Sequence, residues 1–320
     1  MPAQSAPPPK IAISACLMGA EVRYNGGHKA SRLCCRILSD FFDFVPVCPE
    51  VAIGLGIPRE PIRLVGNPEH PQAVGTLNPE INVTRPLAEY AQNMAVDLAD
   101  ICGYIFMQKS PSCGLERVKV YHANGAPVDG GSRGIYARTF CALHPDLPVE
   151  EEGRLNDPVL RENFLTRVFA YSAWQQLLQT GLTRRSLTDF HSRYKYLLMA
   201  HNPVQYKALG NLLGNMGHTD PEVLGPRYFS ELMAALKKCA TRRTHTNVLQ
   251  HLSGYLKQAI SAEDKQEVQH VIGQYRHGIV PLVVPLTLLK HYFRQHPDPY
   301  IAQQVYLQPH PENLSLRNAI

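Results

Sequence analysis

The chain has 320 residues, 44% hydrophobic and 18% charged, with a formal net charge of +5 at pH 7, a profile of a globular protein long enough for two domains. The most apolar window, GIVPLVVPLTLL (278–289), is broken by Pro281 and Pro285 and is shorter than the roughly 18 apolar residues a spanning helix needs, which excludes a membrane-spanning reading. The opening MPAQSAPPPK has no basic region leading into an apolar core, so it predicts a short disordered tail (1–9) and no secretory signal, and a cytoplasmic protein whose 8 cysteines stay reduced.

Residues 11–15 predict a strand, and SRLCCRILSDFFD (31–43) has helical spacing. A strand is expected again at FVPV (44–47), a helix at RPLAEYAQNMAVDLADI (85–101), and a strand at GYIFM (103–107). VKVY (118–121), followed by Asn124-Gly125, predicts a strand and a tight turn. Short apolar strands alternating with helices indicate an α/β domain with a mostly parallel, Rossmann-like sheet, in which ligands collect beyond the carboxyl ends of the strands.

A break follows in HPDLPVEEEGRLNDP (144–158), where prolines, an acidic run and a glycine fall together. The expected domains are therefore 10–152 and 153–320. The second reads as helices throughout. VLRENFLTRVFAYSAWQQLLQTG (159–181) stops at a capping glycine, SLTDFHSRYKYLLMAHNP (186–203) ends before proline, and Ser261 with Asp264 stands at capping-box spacing. PRYFSELMAALKKC (226–239) and HTNVLQHLSGYLKQAI (245–260) continue the pattern. Charge divides unevenly. Residues 1–155 carry 14 Lys and Arg against 16 Asp and Glu, a net of −2, and residues 156–320 carry 18 against 11, a net of +7. A basic half rich in histidine and tyrosine suggests a polyanionic partner, although a solvated basic surface explains the charge alone equally well.

Three apolar runs end in cysteine: KIAISAC at Cys16, FVPVCPE at Cys48, and GYIFM followed by KSPSCG at Cys113. Cys34 and Cys35 are adjacent in a helical segment, so one is core and the other incidental. Cys102, Cys141 and Cys239 lie in apolar settings, where free cysteine behaves as a small hydrophobe. Cys16, Cys48 and Cys113 differ in being followed by turn-forming or polar residues at strand ends. Their separations of 32 and 65 residues match no zinc-finger or ferredoxin spacing. If the three converge on a 4Fe–4S cube, one iron keeps an open position, a Lewis acid suited to a sulfur ligand. Zinc with three cysteines and water is the rival.

SACLMGAEVRYNGG (14–27), VCPE (47–50) and KSPSCG together resemble the signature of the thiouracil desulfidase family over roughly residues 10–147. HSRYKYLLMAHNP and HPDPYIAQQVYLQPHP resemble a helical domain of unknown function often fused to that module, and the fused arrangement is similar to bacterial desulfidases that convert 4-thiouridine in tRNA to uridine. The resemblance implies a 4Fe–4S cluster with one open iron held by Cys16, Cys48 and Cys113, with Glu50 as acid/base and Ser110 as its partner. Read without it, Glu50 is a helix N-terminal acid after Pro49, and Ser110 and Ser112 are turn hydroxyls satisfying backbone amides. Ser112 keeps that reading, and Lys109, Arg23 and Tyr24 either hold the base or a phosphate or are structural.

The implied partner is tRNA carrying 4-thiouridine, gripped by basic and aromatic segments of the second half. The candidate contacts there are Arg242, Arg243, His245, Arg276, Lys290 and Arg294. Two other functions compete: desulfuration of free thiouracil or a thionucleoside, with the helical half serving oligomerisation, and a non-catalytic, zinc-containing RNA-binding stress protein.

Overall fold

The first apolar run is β1 (Lys10–Ser14), buried along its last four residues, as a strand covered on both faces must be. The structure, a computed structural model, describes residues 7–217, 219–314 and 316–320; the expected tail lies outside the described residues as far as residue 6. The chain divides into two compact units, Met1–Asn156 and Asp157–Ile320.

In the first unit, β1 pairs in parallel with β2 (Asp43–Val47), which leads through Cys48 into the single-turn helix α1 (Pro49–Ala52). β3 (Ile62–Val65) and β4 (Gln72–Gly75) form an antiparallel pair, α2 (Thr84–Asp97) follows, and β5 (Gly103–Phe106) returns to the far side of β1. β6 (Val120–Tyr121) pairs in parallel with β3, α3 (Ile135–Leu143) packs on α2, and β7 (Val149–Glu151) closes the main sheet beside β5. The main sheet has the order β2-β1-β5-β7 and is parallel at every pairing, so the expected α/β class holds. The connection reverses direction between β1 and β5, which makes the carboxyl ends of those strands the switch point of the sheet. Stacking of Tyr104 on Phe106 at 3.8 Å, with Tyr136 and Phe140 edge-on to Tyr104, packs α3 against β5.

Three details depart from the sequence reading. SRLCCRILSDFFD does not form an α-helix; it winds as a π turn (Leu33–Ile37) and then a 3-10 turn (Leu38–Asp40). There the Ser39 hydroxyl donates to the Cys35 carbonyl, competing with the regular backbone bond. The burial pattern survives, with Cys34, Leu38 and Phe42 inside and Cys35 half-buried. A second sheet, β4-β3-β6, was not expected, because IRLV and QAVG are too short to show a period. The acidic run near the expected break contains β7, where Glu151 Oε1 accepts from the amides of Leu115 and Glu116, and Glu150 Oε1 accepts from Arg154.

The second unit is helical: α4 (Pro158–Gln179), α5 (Arg184–His201), α6 (Pro203–Gly214), α7 (Pro221–Leu236), α8 (Arg242–Ser253), α9 (Ala262–Arg276), α10 (Val283–Gln295) and α11 (Pro299–Ala302). Its starts other than that of α10 are capped by side chains, with Asp157, Thr183, Thr241 and Ser261 among those accepting from first-turn amides. α4 stops before Gly181, whose φ of +81° suits a glycine past a helix end. Among the described residues no helix is long and apolar enough to cross a membrane.

Candidate active site

Each of the three singled-out cysteines follows a strand of the parallel sheet, at its carboxyl end. Cys16 lies in a 3-10 turn (Ala15–Met18) directly after β1, and Gly19 at φ +91° reverses the chain beyond it. Cys48 follows β2 as the N-cap of α1, with Pro49 opening the helix and Glu50 in its first turn. Cys113 lies in the turn after β5, which begins with Lys109 at φ +59°, a left-handed conformation uncommon for a side-chain-bearing residue. The Ser110 hydroxyl accepts from the amides of Ser112 and Cys113 at 3.2 and 3.1 Å and so closes this turn. A Cβ on Gly134 would come within 2.5 Å of the Ser112 carbonyl, so only glycine lets the start of α3 approach the turn, where Ala137 N donates to Ser112 O.

The three cysteines line one pocket of about 390 Å³ together with Glu50, Arg59, Lys109 and Ser110. Arg23, Tyr24 and Lys29 complete one wall, on a loop pinned by Lys29 N donating to Cys16 O and Arg59 N donating to Tyr24 O. Burial pushes the Cys16 thiol up to about 11, with the nearby Cys48 adding to the shift. Burial also raises Cys48 and Cys113, and Cys113 feels Glu50, Cys48 and Cys16. The thiols thus stay protonated until a metal displaces their protons. Among the described residues no three His, Cys, Asp or Glu side chains group closely enough to hold a single metal ion.

Glu50 is held from two sides. Arg59 donates to Glu50 Oε2 from Nη2 at 2.7 Å and Nε at 3.0 Å, and it also donates to the carbonyls of Val22 and Gly56. The Ser112 hydroxyl donates to Glu50 Oε1 at 2.7 Å. Sequence reasoning missed Arg59, which stands in IPREP with nothing to mark it, and it gave Ser112 only a turn role. The one available signal for Ser112 was its place beside Cys113. Ser110 lines the pocket, and the hydroxyl touching Glu50 is that of Ser112.

In the helical unit the six candidate RNA contacts do not form one surface type. Arg243, Arg276 and Arg294 are exposed. Arg242 is exposed but turned inward, donating to Tyr275 O at 3.0 Å with its guanidinium 5.0 Å from the Tyr275 ring centre. Lys290 is half-buried and paired with Glu312. His245 is corrected outright: it is 2% exposed, its Nδ1 lies 3.0 Å from the Tyr306 hydroxyl, and burial lowers it to about 3. A neutral core histidine offers no surface to RNA. Helical spacing gave its position, but not which face of α8 is covered.

A family model described as 2-thiouracil desulfurase matches residues 11–152, and one described as protein of unknown function (DUF1722) matches residues 195–311. The chain is similar to the uncharacterized protein YbgA of Escherichia coli (strain K12), 33% identical over 159 residues, covering 49% of this chain and 94% of that one. It is also similar to the uncharacterized protein YbbK of Bacillus subtilis (strain 168), 36% identical over 110 residues, covering 32% of this chain and 72% of that one. The chain is also similar to a solved structure, the 4Fe–4S-dependent thiouracil desulfidase TudS, 28% identical over 47% of this chain and 94% of that one, with a TM-score of 0.35.

Proposed function

The chain belongs to the 2-thiouracil desulfurase family through residues 11–152, with a DUF1722 domain over residues 195–311, and from this we propose an iron–sulfur-dependent desulfidase that converts 4-thiouridine in tRNA to uridine. The observation that carries the reading is the convergence of Cys16, Cys48 and Cys113 on one pocket with Glu50. The residues fit a 4Fe–4S cluster better than a lone ion. They are three thiols without a histidine among them, and their grouping does not close on a single metal, whereas a cube spreads its irons over separate corners. When bound by Cys16, Cys48 and Cys113, the cluster supplies one iron without a protein ligand, a soft Lewis acid for a thiocarbonyl sulfur.

The net reaction exchanges sulfur for oxygen: thiocarbonyl and water give carbonyl and hydrogen sulfide, with no electron gained or lost. The protein's task is to move protons. Glu50 takes a proton from the attacking water, and Arg59 fixes its carboxylate so that the two oxygens differ in role. Ser112 donates to the second oxygen and so keeps it oriented while the proton is held. Ser110, beside it in the same turn, closes the turn that carries Cys113 at the pocket wall. Lys109, Arg23 and Tyr24 line the pocket where a base and its phosphate would lie. The basic helical unit holds the RNA, with Arg243, Arg276 and Arg294 among its exposed cations.

A second reading, desulfuration of free thiouracil or a thionucleoside, is favoured by the family's own description. Both readings are tested by loading the chain anaerobically with iron and sulfide, removing the excess, and following hydrogen sulfide release from tRNA carrying 4-thiouridine and from free 2-thiouracil. Release is expected from the tRNA, and a cluster-loaded chain that releases none from either substrate overturns the desulfidase reading.

A further inference from the structure

The helical unit contains a second pocket, of about 260 Å³, whose ionisable lining is Lys290, Arg294, His310, Glu312 and Arg317, with Thr287, Gln308 and Asn318 as its neutral polar residues. Lys290 and Arg294 stand four residues apart on α10 and so share one helix face. Arg317 and His310 are 6% and 8% exposed. Arg317 Nε donates to Glu162 Oε1 at 3.2 Å and Nη1 to Tyr306 O. His310 Nε2 lies 3.7 Å from the same Glu162 oxygen, an ion-pair distance and too long for a hydrogen bond. Among the described residues Arg317 Nη2 and His310 Nε2 have no hydrogen-bond partner, and both atoms are sealed from solvent. Buried donors are normally satisfied, and a guanidinium N–H left bare is among the costlier exceptions. The charges do not cancel either: Glu162 offsets Arg317 and Glu312 offsets Lys290, leaving Arg294 in excess.

We propose that this pocket is a phosphate site, taking the phosphate monoester of a nucleotide or of an RNA 5′ end. A dianionic phosphoryl group carries enough acceptor oxygens to meet Arg294 and Lys290 from different directions, beside the buried Arg317 charge that also lines the pocket, which a planar carboxylate does less well. The pocket is too small for a continuous strand, so a chain end or a small ester fits it, with Leu286 and Leu307 forming the apolar wall. Glu312 is the internal competitor, since it occupies Lys290 in the absence of phosphate.

The site is tested by calorimetric titration of the full chain with inorganic phosphate, uridine 5′-monophosphate, and a short oligoribonucleotide with either a 5′-phosphate or a 5′-hydroxyl. Saturable binding of phosphate and of the monophosphate is expected, weakened about tenfold or more by Arg294→Gln and by Lys290→Met, each removing one charge-assisted contact. Glu312→Gln should tighten binding by removing the competitor, an effect no purely structural role predicts. Binding of the 5′-phosphorylated oligonucleotide over its 5′-hydroxyl twin assigns the site to an RNA end, and binding of the mononucleotide alone assigns it to a free ester. No heat of binding at millimolar phosphate, or equal affinity in all three variants, overturns the proposal. Arg317→Gln removes a buried ion-pair partner and endangers folding, so the exposed Arg294 carries the test. The titration needs neither cluster nor turnover, so its failure is separate from failure of the desulfidase reading.

Discussion

The hydroxyl of Ser112 donates to Glu50 Oε1 at 2.7 Å, joining the turn after β5 to the first turn after β2. With Arg59 on the opposite oxygen, the carboxylate has one orientation, set by a charge on one side and a movable proton on the other. The two serines of KSPSC therefore divide their work: Ser110 closes the turn that carries Cys113, and Ser112 addresses Glu50.

That division separates two variants. Ser112→Ala should retain iron and lower turnover by roughly ten- to a hundredfold, the worth of one hydrogen bond to a charged group. Ser110→Ala removes an acceptor of two turn amides and should lower stability by about 1 kcal/mol, with iron retention falling alongside. Iron content and initial rate, measured on the same preparations, distinguish them. A Ser112→Ala enzyme at full rate would detach that hydroxyl from the chemistry.

Ligand and proton carrier should also part. Cys16→Ala is expected to lose both iron and activity. Glu50→Gln should keep the cluster's visible absorption and lose about two to four orders of magnitude in rate, the usual share of general acid–base catalysis. An active Glu50→Gln enzyme removes this residue from the mechanism.

Arg59 and Glu50 have side chains only 5% and 16% exposed. Arg59→Met leaves the carboxylate without its charge partner and should cost about 3–5 kcal/mol by urea denaturation. The double variant Arg59→Met with Glu50→Gln should cost less than Arg59→Met alone. Equal or greater loss in the double variant would mean that the pair is not coupled.

The helical unit should be acid-sensitive. Burial lowers His245 to about 3 and His191 to about 4 from 6.5, and it lowers His201 as well. A histidine depressed in the folded state gives stability that is complete above its unfolded value. That stability is lost as pH falls, because the unfolded chain binds the proton first. For His245 the loss runs from about 6.5 down to about 3, with a slope approaching about 1.4 kcal/mol per pH unit. Urea midpoints should be flat above neutrality and fall through this window, and His245→Gln should flatten the fall. A pH-independent midpoint contradicts the buried, neutral assignment.

Much of the pocket was legible because strand ends in a parallel sheet point one way, so cysteines that terminate apolar runs gather at one edge. Arg59 was not legible, since its partner Glu50 stands nine residues away across α1 and a turn with no periodic signal. The same holds for Arg317 and Glu162, 155 residues apart in sequence yet bonded in the helical core. His245 was misread because a histidine among arginines looks solvated in one dimension. The face of α8 it occupies is settled by Tyr306, on a segment far along the chain. The second sheet escaped because β3 and β4 have four residues each and no continuous apolar run to mark them, while its third strand, β6, falls within the expected VKVY.

The most direct measurement incubates the cluster-loaded chain anaerobically with 4-thiouridine-containing tRNA and, in parallel, with free 2-thiouracil, following loss of thiocarbonyl absorbance and sulfide released. The account predicts conversion of the tRNA at a higher kcat/KM than the free base, abolished by Cys48→Ala. Charge reversal at Arg243 and Arg276 should raise the tRNA KM more than it alters kcat. Thiouracil consumed while tRNA is untouched would contradict the RNA assignment, and tRNA desulfurated equally well by Cys48→Ala would contradict the site itself.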